Sequence, residues 1–328
     1  MTSPLDTLRE RARAARHHVV LSEGTDARVV EAAARAVDEG IAEVTVLAPE
    51  GTRLPRGVTL RDPATAETDA MIEAYLEARA QRHPTREDAA KAVRDPLVHA
   101  ALMVRTGRAD NTIGGAVHTT SDTVRIALQV IGTAPGVPLV SSFFLMVLPE
   151  AHPTRPGGAM IFSDCAIVIE PDAEELAAIA RQAAASAHAL LGIDPHVALL
   201  SFSTRGSAHH RRVTKVTDAL KHLADVPFAV DGELQFDAAF DADVGASKAP
   251  GSPVAGHADV LVFPDLDAGN IAYKIAQRIG GATAIGPILQ GLAKPANDLS
   301  RGCSTGDILD MIAVTSAQID ALQKAETT

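Results

Sequence analysis

The sequence predicts an α/β protein of two domains, each with a mainly parallel β-sheet. Short apolar runs alternate with helical segments along nearly the whole chain, and such β–α–β units build parallel sheets. The chain has 328 residues, more than one simple core usually serves. Hydrophobic residues make up 46% of it and aromatic residues only 3%. The cores must therefore be built from aliphatic side chains and alanine, as in layers of Ala-rich helices over Val- and Ile-rich strands.

The first half begins with one β–loop–α–β unit. We expect a strand over 19–22, a polar loop over 23–26 and a helix over 27–39 that ends at Gly40. The other features expected in this half are a second strand over 44–47, a connection over 51–61, helical segments over 68–105 broken near Pro84 and Pro96, a strand end over 112–117 and a helix over 123–131.

The second half continues the same alternation. A helix is well marked by Asp172 as its cap, Glu175 at the capping-box position and Gly192 at its end. The segment 230–253 is polar with little turn periodicity and is expected to be a long loop that serves a site, with a solvated acidic connection as the alternative. The remaining expectations are strands over 137–148, 159–169, 197–202, 260–263 and 285–292, and helices over 213–223, 268–279 and 306–324.

Charge and cysteine content narrow the classes of function. The formal net charge is −11, so no nucleic acid is expected as a partner, and any anionic ligand needs locally placed Arg or Lys. Cys165 and Cys303 suggest neither a disulfide framework nor a zinc site, which favours a reducing, cytoplasmic location. No apolar stretch is long enough to cross a membrane. Asp265 and Asp267 could be a metal pair or a helix start, and no metal site is predicted.

The loop over 291–307 carries the most informative polar residues. A carboxylate such as Asp307 can take a proton from a thiol, and a hydroxyl such as that of Ser300 can face a carbonyl oxygen. Arg301 can bind phosphate with two parallel hydrogen bonds. Together these groups fit acyl transfer between a thiol and phosphate. Asp307 also has capping-box spacing from Ser304, so a helix cap remains an equal interpretation, and the other two residues could be an ordinary turn serine and a surface cation.

A second polar loop runs over 114–125. Its glycines allow close approach of a ligand, and three hydroxyl residues precede a helix that can receive an anion. These residues are Thr119, Thr120 and Ser121. An N-cap by Ser121 or Asp122 is the alternative. His118 could act as a base or be structural, and Cys303 is expected to pack rather than react, because no spacing indicates an activating His or Lys.

Six stretches resemble the phosphate acetyl/butyryltransferase family, and the likeness extends over 19–315. They are LSEGTDARVVEAAA, GGAVHTTSDTVRIALQVIGTAPGV, SSFFLM, VDGELQFDAA, ASKAPGSPVAGHADVLVFPDLDAGNIAYKIAQRIGGA and IGPILQGLAKPANDLSRGCSTGDI. Two departures are Ser22, where the family usually has Pro before Glu-Gly, and Ile126, which replaces a common Pro.

The resemblance implies a fold and a reaction. The fold is that of two α/β domains related to those of isocitrate and isopropylmalate dehydrogenases, with the active site in the cleft between them. Residues 1–140 with 293–328 would form one domain, and 141–292 an inserted one. The implied reaction converts acetyl-CoA and phosphate into acetyl phosphate and CoA in a ternary complex. It needs no metal, no acyl-enzyme and no tightly bound cofactor, because coenzyme A is a substrate. The implied assembly is a homodimer.

The resemblance also assigns roles to single residues. Ser300 matches the serine that polarises the carbonyl, Arg301 the phosphate-site arginine and Asp307 the base for the CoA thiol. Arg125 in SDTVR matches a substrate-binding arginine, and Arg79 in LEARAQR matches another.

Three alternatives remain at this stage. The acyl group could be butyryl or propionyl, because pocket size cannot be read from the sequence. The chain could be an inactive regulatory module like the tail of some malic enzymes, although the presence of Ser300, Arg301 and Asp307 together argues against it. A nicotinamide-dependent decarboxylating dehydrogenase would share the fold, but the sequence has no convincing dinucleotide fingerprint or set of metal-binding carboxylates.

Overall fold

The computed structural model describes the backbone of residues 3–66 and 68–326, and side chains through residue 320. The chain forms two compact units, Met1–Pro135 with Leu292–Thr328 and Gly136–Gly291, called here the first and second units. The strands are β1 His18–Leu21, β2 Glu43–Leu47, β3 Thr59–Arg61, β4 Asn111–Gly114, β5 Ser141–Val147, β6 Ala159–Ser163, β7 His196–Leu200, β8 Ala229–Leu234, β9 Val260–Val262, β10 Thr283–Gln290 and β11 Ala296–Asp298.

The α-helices alternate with these strands for most of the chain. They are α1 Pro4–Ala15, α2 Ala27–Asp38, α3 Asp69–Ala78, α4 Arg86–Ala92, α5 Pro96–Arg105, α6 Thr120–Ile126, α7 Ala173–Leu191, α8 Arg211–Lys221, α9 Phe236–Phe240, α10 Ala242–Lys248, α11 Leu266–Arg278 and α12 Thr305–Glu326. The α/β class predicted from the alternating pattern is confirmed.

The sheet of the first unit has the strand order β11-β4-β1-β2-β3, and all its pairings are parallel. From β1 the chain moves outward through β2 to β3 and then returns to β4 on the other side of β1. The loops that follow β1 and β4 therefore lead away from each other. This arrangement is the topological switch point at which open α/β sheets bind ligands, outside the carboxyl ends of the strands.

The helices of the first unit pack small side chains against this sheet. The buried positions of α2 are Val29, Ala32, Ala33 and Ala36, an apolar stripe with helical spacing. Helix α12 packs against both α1 and α2. The core is therefore aliphatic and rich in alanine, as the low aromatic content predicts.

The second unit has a mixed sheet in the order β10-β5-β6-β9-β7-β8. Strand β5 runs antiparallel to β10 and β6, whereas the pairings from β6 to β8 are parallel. Helix α7 begins with the reciprocal capping box of Asp172 and Glu175 and ends at the left-handed Gly192, as predicted. Together the two sheets confirm a mainly parallel α/β architecture.

Three segments differ most from the sequence expectation. The strand expected over 159–169 ends at Ser163 as β6. The connection over 51–61 contains the short edge strand β3, which pairs with β2. The polar stretch over 230–253 is not a long loop, because it contains most of β8 together with α9 and α10. Its polarity concealed the strand, since Asp231 and Glu233 are buried but hydrogen-bond to Arg205 and Ser203.

In the part of the chain that the structure describes, no helix combines the length and the hydropathy that a membrane span requires.

Candidate active site

Three loops of the first unit meet at the carboxyl edge of its sheet. They follow β1, β4 and β11, which are adjacent parallel strands with β4 in the middle. Parallel strands place their carboxyl ends at the same edge. The two polar loops that the sequence singles out, 114–125 and 291–307, are therefore neighbours, and the loop after β1 lies beside them.

The loop after β4 is held by a buried carboxylate. Glu23, in the loop after β1, accepts hydrogen bonds from the backbone N–H groups of Ala116 (2.7 Å), Val117 (3.0 Å) and His118 (2.9 Å). The ring Nδ1 of His118 lies 2.7 Å from the same carboxylate. His118 is thus tied to Glu23, which favours the structural interpretation of this histidine over a free base.

The end of β11 contacts the start of α6 through a second buried carboxyl group, that of Asp298. The Thr120 hydroxyl donates to Asp298 Oδ2 over 2.6 Å, and Asp298 is completely buried. Burial raises the pKa of Asp298 to about 6, although hydrogen bonds from the hydroxyls of Thr120 and Thr123 oppose the shift. A Cβ at Gly115 would lie only 2.2 Å from Asp298 Oδ1, and Gly115 has a φ of +102°, so only glycine fits there.

The three hydroxyl residues before α6 have different surroundings. Thr119 is the N-cap, since its Oγ1 accepts from the N–H of Asp122 and donates to the carboxylate of that residue. The expected alternative cap by Ser121 or Asp122 is therefore wrong by two or three positions. The hydroxyl of Thr120 is engaged by Asp298. Ser121 is exposed, and its hydroxyl makes no hydrogen bond within the described residues.

The two predicted substrate-binding arginines lie on different elements of the first unit. Arg125 is exposed in the last turn of α6 and donates to Asp122 over 2.7 Å. Arg79 follows the last residue of α3, and its side chain makes no hydrogen bond or ion pair to any residue that the structure describes. Helix α3 packs against α5 and against the π-helical segment 127–131 that continues α6.

Ser300 and Arg301 occupy a tight turn after β11. The N–H of Cys303 donates to the Ser300 carbonyl over 2.9 Å, and the Gly302 N–H donates weakly to Ser300 Oγ. The side chains of Ser300 and Arg301 are exposed. Within the described part of the chain, the Arg301 guanidinium makes no hydrogen bond or ion pair, so it is available to an anion from solution.

Asp307 forms a capping box at the start of α12. Its Oδ2 accepts from the N–H (2.8 Å) and hydroxyl (2.9 Å) of Ser304, and its own N–H donates to Ser304 Oγ (3.2 Å). The helix cap that the spacing of Ser304 and Asp307 predicts is thus confirmed. It does not exclude the other interpretation, because Asp307 is exposed and its Oδ1 has no hydrogen-bond partner among the described residues.

Cys303 lies between these groups but is suited to packing. Its side chain is buried, and burial raises the pKa of the thiol despite the nearby charge of Arg28. A thiol in this state is a poor nucleophile at neutral pH. Cys165 is also a free, buried thiol.

The sequence argument overlooks Glu23, Asp298 and Arg28 as parts of the site. The Arg28 guanidinium contacts backbone carbonyls of both polar loops. One local signal existed, because a cation in the first turn of a helix opposes the helix dipole and needs another partner. No local pattern reveals Glu23 or Asp298, whose partners are distant in sequence.

The described residues contain no group of three or more His, Cys, Asp or Glu side chains placed to hold a metal ion. Asp265 caps α11 by accepting from the N–H of Ala268 over 2.9 Å. This contact supports the helix-start interpretation of the Asp265 and Asp267 pair.

Comparison with known proteins gives a consistent result. The family model described as phosphate acetyl/butaryl transferase matches residues 3–316. A phosphate acetyltransferase from Paracoccus denitrificans is 53% identical over 319 residues, which cover 96% of this chain and 99% of that protein. One from Thermoanaerobacterium thermosaccharolyticum is 45% identical over 329 residues, covering 96% and 99%.

Solved structures agree with these sequence relatives. A phosphotransacetylase from Streptococcus pyogenes has a TM-score of 0.87 at 44% identity, with 97% of this chain and 98% of that chain covered. The EutD phosphotransacetylase from Staphylococcus aureus has a TM-score of 0.86 at 41% identity, with 96% and 98% covered. A family match over nearly the whole chain, supported by relatives of this similarity, places the chain in the phosphate acetyl/butaryl transferase family of acyltransferase enzymes.

Proposed function

We propose that the chain is a phosphate acetyltransferase, which interconverts acetyl-CoA plus phosphate and acetyl phosphate plus CoA. The observation that carries this proposal is the 53% identity over nearly full length to the phosphate acetyltransferase of Paracoccus denitrificans. The geometry agrees, because the turn after β11 presents an exposed hydroxyl and guanidinium, and the start of α12 that follows presents an exposed carboxylate. These are the three kinds of group that acyl transfer between a thiol and phosphate requires.

In this proposal Asp307 is the base in the direction of acetyl-CoA synthesis. Its carboxylate accepts the thiol proton of CoA, and the sulfur attacks the carbonyl carbon of acetyl phosphate. The new C–S bond forms as the C–O bond to phosphate breaks, the electron pair leaves with phosphate, and the proton on Asp307 passes to the departing phosphate. In the reverse direction, hydrogen phosphate gives its proton to Asp307 as it attacks the thioester, and the CoA thiolate leaves with that proton. The Oδ2 contacts with Ser304 fix the carboxylate and leave Oδ1 for the thiol.

Ser300 and Arg301 stabilise charge in the same step. The Ser300 hydroxyl donates to the carbonyl oxygen as negative charge develops on it, which stabilises the transition state more than the ground state. Arg301 binds the phosphate oxygens through its planar, bidentate guanidinium. Direct transfer needs neither an acyl-enzyme nor a tightly bound cofactor, in keeping with the raised pKa of Cys303.

The remaining groups are assigned to substrate binding. Arg125 and Arg79 would bind anionic parts of the substrates, because an acidic protein must hold anions with locally placed cations. Thr119, Thr120 and Ser121 surround the N-terminus of α6. Ser121, with its exposed hydroxyl, is the best placed of the three to contact a ligand directly, whereas Thr120 acts through Asp298.

A different acyl donor is the main alternative, with propionyl or butyryl replacing acetyl. The family description names both acetyl and butaryl transferases, so membership does not decide the acyl group. The curated relatives named above favour acetyl, since both are named phosphate acetyltransferases. The inactive regulatory module is disfavoured, because all three proposed catalytic side chains are present and exposed.

We propose further that the two compact units, which divide at 135/136 and 291/292, are the two domains of the family that were expected to divide after residues 140 and 292. We also propose that the chain acts in the cytoplasm. Helix α11 supports the proposed homodimer. Its Ile271 and Ile275, and Ile279 directly after its last residue, are 57%, 52% and 83% exposed and lie four residues apart, forming one apolar stripe that a second copy could bury. Sedimentation would support this assembly if the parent is a dimer and Ile275→Lys is a monomer. A parent that sediments as a monomer, like the variant, would contradict it.

The donor comparison tests the proposed activity. CoA release would be measured with acetyl-, propionyl- and butyryl-CoA at saturating phosphate. We expect the highest kcat/KM with acetyl-CoA. A preference for a longer donor would retain the mechanism but change the substrate, and no release with any donor would refute the proposal in favour of an inactive module.

A further inference from the structure

Arg28 occupies a position that helix physics disfavours. It is the second residue of α2, whose first turn contains no acidic residue. A positive charge at this end of a helix is repelled by the helix dipole. The residue that precedes the helix, Asp26, is the N-cap and accepts from the backbone N–H of Arg28. The presence of arginine at this position must therefore be explained by contacts outside the helix.

The contacts of the Arg28 guanidinium use all five of its N–H donors. Nε and one Nη2 proton bind the two carboxylate oxygens of Asp26, at 3.0 and 2.8 Å. The other three donors bind backbone carbonyls, those of Arg301 (2.9 Å), Cys303 (2.8 Å) and Ala116 (3.0 Å). The first two carbonyls belong to the turn of residues 300–303, called here the proposed catalytic turn, and the third belongs to the loop after β4.

The pairing with Asp26 fixes the plane of this guanidinium. The two parallel hydrogen bonds form a fork, a geometry that only arginine can make. Arg28 lowers the pKa of Asp26, mainly through this side-chain hydrogen bond. Asp26 therefore stays ionised across the neutral range and continues to orient the guanidinium towards the carbonyls.

The loop after β4 is held from its other side by the same short segment of chain. Glu23 accepts from three of its backbone N–H groups, whereas Arg28 donates to the Ala116 carbonyl. Residues 23–28 thus bind both donors and acceptors of this loop. Through Nη1 of Arg28, the same segment also binds the turn that carries Ser300 and Arg301.

These contacts give Arg28 control over the orientation of reacting groups. The hydrogen bond from the Cys303 N–H to the Ser300 carbonyl closes a turn of four residues. The carbonyl of Arg301 lies within this turn, and that of Cys303 lies at its end. Fixing both carbonyls restricts the backbone from which the Ser300 hydroxyl and the Arg301 guanidinium project. Small displacements of such groups cost large factors in rate, because catalysis depends on their alignment with the reacting atoms.

We propose that Arg28 is a positioning residue for acyl transfer. By binding the carbonyls of Ala116, Arg301 and Cys303 together, it holds the proposed catalytic turn and the loop after β4 in the relative position that the reaction requires. This inference rests on the proposed function for its kinetic consequence. Its structural content, that Arg28 orders the turn, is independent of which acyl group is transferred.

The kinetic test compares Arg28→Ala and Arg28→Lys with the parent in phosphate-dependent CoA release. Lysine keeps the charge but cannot span three carbonyls and a carboxylate, so both variants should lose activity. We expect kcat/KM for phosphate to fall by about 100-fold, while the KM for acetyl-CoA changes by less than about threefold. Arg35→Ala is the matched control, since Arg35 lies on the same helix and its exposed side chain pairs, among the described residues, with Glu39 alone.

Two further measurements separate positioning from folding. Free guanidinium ion, added to Arg28→Ala at a non-denaturing concentration, should restore part of the lost rate and leave Arg35→Ala unaffected. Amide hydrogen exchange should become faster at 300–304 and 116–118 in Arg28→Ala, with the strands of the sheet unchanged. Slow exchange at both loops, or a loss that appears in the KM for acetyl-CoA and is not restored by guanidinium, would overturn the inference.

The design distinguishes this inference from the proposed function. If the parent releases no CoA, the proposed function fails, yet the exchange measurement still tests whether Arg28 orders the turn. If the parent is active and Arg28→Ala retains its kinetics, the proposed function stands and the positioning role is refuted.

Discussion

The proposed catalytic carboxylate, Asp307, serves as both a helix cap and a candidate base. Spacing alone leaves these interpretations equal, and the structure shows the cap without excluding the base, because only one carboxylate oxygen is engaged. Arg301 has the opposite character, since its side chain makes no hydrogen bond or ion pair in the described residues. Because the Arg301 guanidinium has no hydrogen-bond or ion-pair partner among the described residues, it is available to bind an anionic ligand near the start of α12.

Replacing Arg301 with alanine removes the proposed phosphate contact. We expect the KM for phosphate to rise and kcat to fall, with a combined loss of roughly 2–4 kcal/mol in transition-state stabilisation, the range of a lost charged donor. Steady-state kinetics with phosphate as the varied substrate measure this effect. An unchanged response to phosphate would remove Arg301 from the phosphate site.

Asp298 makes the stability of the protein depend on pH. Its pKa is raised to about 6 by burial, so the folded state binds its proton more tightly than the unfolded state does. The stability contributed by the protonated group is complete below about pH 4 and is lost as pH rises through about 6. A shift of about two units corresponds to roughly 3 kcal/mol.

The variant Asp298→Asn should not lose this stability. Its free energy of unfolding relative to the parent should therefore increase between pH 4 and pH 7, by on the order of 3 kcal/mol in its favour. Urea denaturation at several pH values measures the difference. A difference that is constant with pH would show that Asp298 titrates normally.

At the scale of elements, the sequence predicts a helix or strand best where the residues that define its start and end lie within the same short segment. The helix at Asp172 is predicted with its cap and its end, because the capping box and the terminal glycine are local. Strand β3 is missed because three residues carry too little periodicity, and β8 because its buried Asp231 and Glu233 resemble loop residues. The partners that make such burial tolerable lie about 30 positions away, in Arg205 and Ser203.

The start of α12 allows the cap to be separated from the base. Ser304→Ala removes the hydroxyl that binds Asp307 but retains the carboxylate. We expect a loss of about 1 kcal/mol in stability and a kcat within about threefold of the parent. Thermal unfolding and CoA release measure the two effects. A collapse of turnover with little loss of stability would mean that Ser304 itself takes part in the reaction.

At the scale of the molecule, the sequence predicts the class of fold better than the assembly of the site. The α/β class follows from alternation that is visible in any short window. The site instead depends on contacts between residues far apart in the chain, such as Glu23 with Ala116, Thr120 with Asp298 and Arg28 with Arg301, which are separated by 93, 178 and 273 positions. Only the sheet order places these loops side by side.

Sheet topology also explains why the informative residues lie where they do. Strands β1 and β4 flank the switch point of the first unit, and the proposed catalytic turn follows β11, the neighbour of β4. Ser300 and Arg301, named from sequence, and Glu23 and Asp298, found from structure, lie on or directly after strands at this edge. The fold therefore supports an active site there, independently of any relative.

The most direct test of the account is phosphate-dependent release of CoA from acetyl-CoA by the purified parent and by Asp307→Asn. The account predicts release by the parent only when phosphate is present. It also predicts a loss of about 100-fold or more in kcat for the variant, whose thermal unfolding should stay close to that of the parent. Release that does not require phosphate, or near-parent turnover by Asp307→Asn, would contradict the proposed chemistry.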